Sequence, residues 1–196
     1  MHLIGIAGPS GSGKTELARA LARLLDAPVL ALDSYYRDLT HLPFEERAAT
    51  NFDVPAAIEH ELLFEHLRLL AAGSDIEVPV YDFTRHLRTG RTDPLRAGEF
   101  AVLEGLWTLH WEEVRHLLGT SVYVDAPDDV CFERRLARDL RERGRSPESV
   151  LARYDATVRP MARQYILPTR RFAGVVVSGV EPLERSVAAV RRHIAR

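Results

Sequence analysis

Gly8-Pro9-Ser10-Gly11-Ser12-Gly13-Lys14-Thr15 decides the fold of this chain. The octapeptide fills every fixed position of the phosphate-loop pattern G-x-x-x-x-G-K-[ST]. Lys14 is the single lysine of the sequence; every other cation of this type is an arginine. A compact ammonium on a flexible stem can follow the β- and γ-phosphates during transfer, whereas a planar guanidinium has the wrong shape. The flanks agree. His2-Leu3-Ile4-Gly5-Ile6-Ala7 reads as a short buried strand, and the stretch from Glu16 to Leu25 as an amphipathic helix. Strand, glycine loop and helix form the context that the motif requires. Backbone N–H groups crowd onto phosphate oxygens there, and the helix N-terminus adds its dipole. Gly8, Pro9, Ser10, Gly11, Ser12, Gly13, Lys14 and Thr15 are therefore the expected ATP site, with the Thr15 hydroxyl available to Mg²⁺. A chance match in a Gly/Ser-rich turn would not bring both flanks with it.

The rest of the chain fits that reading. With 196 residues and a formal net charge of −2, one α/β domain over 1–196 is expected, with room for a small insertion. The near-neutral balance argues against a nucleic-acid surface covering the molecule, and no apolar run approaches a membrane span. Cys131 is the single cysteine, so no intrachain disulfide can form, and its apolar setting reads as core packing. The glycine loop starts at residue 8, which leaves no room for a signal peptide. A cytoplasmic protein with neither a membrane nor a nucleic-acid partner is expected.

Strand and helix alternate. Val29–Leu32 leads to Asp33, Phe100–Leu103 to Glu104, and Ser121–Val124 to Asp125; Gly174–Val177 is a fifth strand. The periodicity predicts helices over about 56–72, 111–118, 128–143, 147–166 and 182–194. The fold class is thus a P-loop NTPase α/β fold: a five-stranded parallel sheet with helices on both faces. Between Asp33 and Phe100 the alternation breaks. A helix, the extended run Ile76–Asp82 with Pro79 inside it, and a loop over Thr89–Pro94 predict a helix-and-hairpin insertion at 34–99 that could cover a substrate.

In open α/β sheets the ligand sits beyond the carboxyl ends of the strands. Asp125, before Ala126-Pro127-Asp128, reads as helix-start chemistry. Asp33 follows the strand after the phosphate loop, where a kinase of an alcohol needs a carboxylate to accept the hydroxyl proton. Glu104 ends an apolar strand as a Walker-B acid does and could hold Mg²⁺ directly or through water. Arg134, Arg138, Arg141 and Arg145 follow helical spacing onto one face. Alone that series reads as a solvated face; beside a phosphate loop it reads as a lid over 134–148 that closes on the γ-phosphoryl. A GTP switch would need a second lysine in an [NT]-K-x-D element, and none exists. Nucleoside monophosphate kinases have no use for a base such as Asp33.

Together these residues resemble the uridine/cytidine kinase family, within the wider uridine kinase and phosphoribulokinase group. The likeness runs through Gly8 to Thr15, Asp33-Ser34-Tyr35-Tyr36, Asn51-Phe52-Asp53, Val78 to Phe83, Leu103-Glu104-Gly105, Arg138-Asp139, Glu142 to Arg145, and Thr157 to Met161. The resemblance implies transfer of the ATP γ-phosphoryl to the 5′-hydroxyl of a pyrimidine nucleoside, with Mg²⁺. It makes Asp33 the base, with Lys14, Arg138 and Arg143 also catalytic. It assigns Asp53 to the ribose hydroxyls, Tyr81 and His86 to the pyrimidine edge, and Arg135 and Arg145 to the substrate side of the lid. The family is often tetrameric, which would make the protein a homo-oligomer. The chain departs from the family at Arg153, where glutamine is usual, at Val54-Pro55-Ala56, and at Ser178 to Pro182. A kinase of another small alcohol, such as a sugar, a sugar phosphate or a pantothenate-like acceptor, uses the same scaffold. A nucleotide-binding regulator would not need Asp33, Glu104 and the lid arginines.

Overall fold

The computed structural model describes residues 1–195 and, of Arg143, the backbone alone. β1 (His2–Ala7) runs into the phosphate loop and α1 (Lys14–Leu25). β2 (Val29–Ala31) follows, then a 3₁₀ turn over Leu32–Tyr35. Next come α2 (Phe44–Ala49), α3 (His60–Ala71) and the hairpin of β3 (Ile76–Asp82) and β4 (Leu87–Leu95). The chain returns through β5 (Phe100–Glu104), α4 (Glu112–Leu117), β6 (Thr120–Asp125) and α5 (Asp128–Arg143). α6 (Pro147–Arg153) and α7 (Arg159–Met161) belong to a long helical run, which precedes β7 (Val175–Ser178) and α8 (Leu183–Ile194).

The five sheet strands are all parallel, in the order β2-β5-β1-β6-β7. Period-two alternation sorts β1 between two cores. Ile4 and Ile6 join Val102, Val122 and Val124 in packing against α1 and α8. Leu3 and Ala7 face the other way, with Ala101, Leu103 and Tyr123, toward α3, α4 and the buried Trp107. Both faces are covered, so the strands read as unbroken apolar runs. Among the described residues no helix is long and apolar enough to cross a membrane.

Several boundaries differ from expectation for identifiable reasons. The helix expected from 56 begins at His60, and Pro55–Ala57 is a 3₁₀ turn. Tyr36 and Ile58 form a β-bridge, Arg37 N–H donates to Ala57 O, and Glu59 N–H donates to Tyr35 O, so the backbone groups a helix would use are taken. The stretch 89–94, expected as a loop, lies within β4 and pairs with β3. Pro79 is tolerated because a two-stranded hairpin has only edge strands. The helix expected over 147–166 widens into π turns at Tyr154–Val158 and Ala162–Ile166, on either side of Pro160, which has no N–H to donate. Asp125 does not start a helix. α5 has no side-chain cap, and the Asp125 carboxylate faces Arg170 Nε at 3.4 Å instead.

Candidate active site

The phosphate loop is braced from two sides. Gly11 adopts φ +86°, and a Cβ there would stand 2.3 Å from Cys131 O on α5. Gly179, after β7, passes so close that its Cβ would meet Ser12 O at 1.9 Å. Only glycine permits either approach. Arg134 Nη1 ties the pieces together by donating to Gly179 O at 2.8 Å and Gly11 O at 3.3 Å. Cys131 is buried as expected for packing, and burial pushes its thiol up to about 11, which leaves it inert. Lys14 Nζ donates to Pro9 O at 3.4 Å. Burial lowers the Lys14 pKa, while Glu104 and Asp33 oppose that shift.

Ala31 on β2 and Glu104 on β5 are in register, which brings two strand ends together beside the loop. Thr15 Oγ1 donates to Glu104 Oε1 at 3.2 Å. Burial raises the Glu104 pKa, and Lys14 works against that rise. Asp33 lies in the 3₁₀ turn beyond β2, and its buried Oδ1 has no hydrogen-bond partner among the described residues. Hydroxyl and carboxylate oxygens of Thr15, Asp33 and Glu104 gather here beside Lys14, and oxygen is the donor a hard cation such as Mg²⁺ takes alongside phosphate oxygens.

The other end of the cleft is built by turns. Asn51 Oδ1 accepts from Asp53 N–H at 2.9 Å, and this local turn presents the Asp53 carboxylate. Thr157 Oγ1 donates to Asp53 Oδ2 at 2.8 Å, and Arg135 Nη1 stands 4.0 Å from Asp53 Oδ1. On the hairpin, a register shift between Pro79 and Tyr81 turns Tyr81 inward. Its hydroxyl is buried without a partner among the described residues, and burial pushes its pKa up to about 12. Asp82 Oδ1 accepts from the N–H groups of Thr84 and Arg85, which folds the hairpin loop back. His86 then adopts φ +54° and stacks on Phe52, with centroids 5.1 Å apart and planes at 16°. Tyr36 completes the aromatic wall between Phe52 and Tyr81.

The expected arginine face is redistributed. Asp139 on α5 is fully buried and organises it. Arg138 donates to Asp139 Oδ1 from Nε at 3.0 Å and Nη2 at 2.9 Å. Arg145 Nη1 donates to Asp139 Oδ2 at 3.0 Å, and Arg135 Nε lies 3.7 Å from the same oxygen. Arg145 is not on the helix: α5 ends at Arg143, and Gly144 turns the chain with φ +60°. Arg134 braces the phosphate loop, and Arg141 pairs with Glu142 at the surface. The side chain of Arg143, expected to be catalytic, lies outside the described residues.

One cleft brings Lys14, Thr15, Asp33 and Glu104 together with Asp53, Tyr81, His86, Arg135, Arg138 and Arg145. Tyr36, Phe52, Phe83 and Arg153 also line it. Sequence reasoning gave the three aromatics no role of their own; their signal was their place inside or beside the quoted motifs. Arg153 donates to Thr50 O at 3.0 Å.

The family model described as Phosphoribulokinase / Uridine kinase family matches residues 3–184. The uridine kinase of Shewanella amazonensis is 44% identical over 182 residues, covering 89% of this chain and 86% of the relative. The uridine kinase of Vibrio cholerae is 40% identical over 201 residues, covering 99% and 94%. A solved structure from Silicibacter sp. TM1040 superposes with a TM-score of 0.75 at 21% identity, covering 90% of this chain and 89% of the other. Shikimate kinase from Bacteroides thetaiotaomicron gives a TM-score of 0.56 at 18% identity, covering 100% and 99%. Both likenesses are of fold.

Proposed function

The chain belongs to the phosphoribulokinase/uridine kinase family, and from that membership we propose that it phosphorylates the 5′-hydroxyl of uridine and cytidine with ATP, as a cytoplasmic enzyme of pyrimidine salvage. The observation that carries the reading is one cleft that joins a phosphate loop to an aromatic wall. In this reading 134–148 is a lid and 34–99 the substrate-binding insertion.

Mg²⁺ fits the oxygen donors at the loop; Thr15 and Glu104 would hold it, and it would supply neutralising charge at the β- and γ-phosphates. Asp33 accepts the proton of the 5′-hydroxyl, and its partnerless buried Oδ1 is suited to that bond. Lys14 stabilises charge on the transferred phosphoryl. Asp53 holds the ribose hydroxyls, in an orientation that Thr157 fixes. The pyrimidine ring lies along Phe52 and Tyr36, and its edge meets Tyr81 and His86. Arg138 meets the phosphates when the lid closes, and Arg135 and Arg145 meet the substrate.

Measuring ADP formation with uridine, cytidine, pentoses and pantothenate as acceptors tests the proposal. Turnover with both nucleosides is expected. Turnover with a pentose or pantothenate alone would overturn the substrate assignment.

A further inference from the structure

Arg88 lies outside every motif quoted above, yet each of its three guanidinium nitrogens has a partner. Nε donates to Tyr36 O at 3.0 Å and Nη2 to Tyr35 O at 3.4 Å. Nη1 pairs with Glu59 Oε2 at 2.7 Å, and the side chain is only 16% exposed. The backbone N–H of Arg88 donates to Asp38 Oδ1 at 3.3 Å. The residue thus sits on one element and grips another. Its own element is β4, where it lies opposite Tyr81 in register and two residues after His86. The element it grips is the turn Leu32–Tyr35 and the residue after it, which present Asp33 and Tyr36.

We infer that Arg88 is a positioning residue that sets the span between the carboxylate of Asp33 and the base-edge groups Tyr81 and His86. This rests on the nucleoside-kinase reading. A pyrimidine nucleoside has its 5′-hydroxyl at one end and its base edge at the other. A site that binds the base on a hairpin and activates the hydroxyl on a separate turn works only when the two are held at a fixed separation. The hairpin is a two-stranded sheet of its own and shares no ladder with the main sheet. Arg88 joins the two elements by bonding to main-chain oxygens, so the link is independent of side-chain rotamers in the turn. The planar fork reaches two successive carbonyls and a carboxylate at once. Lysine retains the charge and the stem but cannot meet three acceptors in that geometry. Tyr35 is anchored from behind as well, its hydroxyl bonded to His66 Nδ1 at 2.8 Å, so the turn is fixed on the core side and Arg88 completes the hold on the hairpin side.

Arg88→Lys in the full chain tests this, with ADP and UMP both quantified, ATP affinity titrated, and thermal unfolding recorded. The expected result is a folded protein whose kcat/KM for uridine falls on the order of 10²-fold, the penalty of a misplacement near 1 Å. ATP affinity should stay within about twofold, and ADP should exceed UMP, because a displaced hydroxyl loses the phosphoryl to water. Arg88→Lys with wild-type uridine KM, kcat and an ADP:UMP ratio of one would overturn the inference. So would equal losses in ATP and uridine affinity, which mark a general structural role. If Arg88→Lys fails to fold, Glu59→Gln reads the same link in milder form. A rise of about threefold or more in uridine KM at constant ATP affinity supports the inference, and an unchanged KM overturns it. Wild-type protein inert toward both nucleosides would instead overturn the function reading on which this rests.

Discussion

Thr157 Oγ1 donates to Asp53 Oδ2 at 2.8 Å, so a residue in a π turn aims a carboxylate 104 positions away. The bond leaves Oδ1 directed at Arg135 and the cleft. Thr157→Val keeps the shape and deletes the donor. Loss of one bond to a charged group costs about 1–2 kcal/mol here. Uridine KM should rise by about 5–30-fold with ATP KM unchanged, and Thr157→Ser should restore it. Steady-state kinetics with each substrate varied in turn decide the point.

Asp33→Asn removes the base without changing size. A fall in kcat on the order of 10²–10⁴-fold is expected, with ATP affinity nearly unchanged. Wild-type kcat would pass the role to Glu104, the other carboxylate at the loop.

The acid limb of the pH–rate profile should lie above the ordinary glutamate range. Burial raises the Glu104 pKa, so a higher pH is needed to ionise it. The metal-holding form is the ionised one, and activity is therefore lost as pH falls through that raised value. Mg²⁺ competes with the proton, so increasing Mg²⁺ should move the limb to lower pH. A limb indifferent to Mg²⁺ belongs to another group.

Asp139→Asn should cost stability as well as rate. The carboxylate is fully buried and holds Arg138 and Arg145. Both arginines keep some solvent contact, so the loss should be about 1–3 kcal/mol, below that of a wholly dry pair. Denaturant titration measures it. kcat should fall more than ATP affinity, because the arginines lose their resting arrangement.

His86 occupies a left-handed backbone position, which asparagine tolerates better than alanine does. His86→Asn and His86→Ala should both raise uridine KM, since both lose the ring that stacks on Phe52. His86→Ala alone should also lower the melting temperature. Equal melting temperatures would remove the backbone argument.

The sheet, the phosphate loop and the placement of Asp33 and Glu104 beside it were legible in the sequence because each is written locally: an apolar run, then an acid at or just beyond its end. The hairpin was half legible. Pro79 marked an edge, but Thr89–Pro94 carried loop composition and became strand only through its ladder with β3. Asp139 and Arg88 were not legible as organisers. Each looks like an ordinary charge until distant chain segments deliver its partners. The regular spacing of Arg134, Arg138, Arg141 and Arg145 suggested a shared task, whereas Gly144 and the buried Asp139 divide them among three.

On the ribosome, β1 emerges long before β5 and β6, yet it takes the centre of the sheet between them. Its two edges wait unpaired while the hairpin region is translated, a non-local topology that folds slowly and exposes strand edges meanwhile. The nascent phosphate loop already carries its glycines and Lys14 but lacks Arg134 and the Gly179 turn that brace it. Nucleotide therefore meets a finished pocket only after β7 has docked. A ligand that binds only the finished loop stabilises the completed fold by mass action, so it acts on the chain after its last strand is in place.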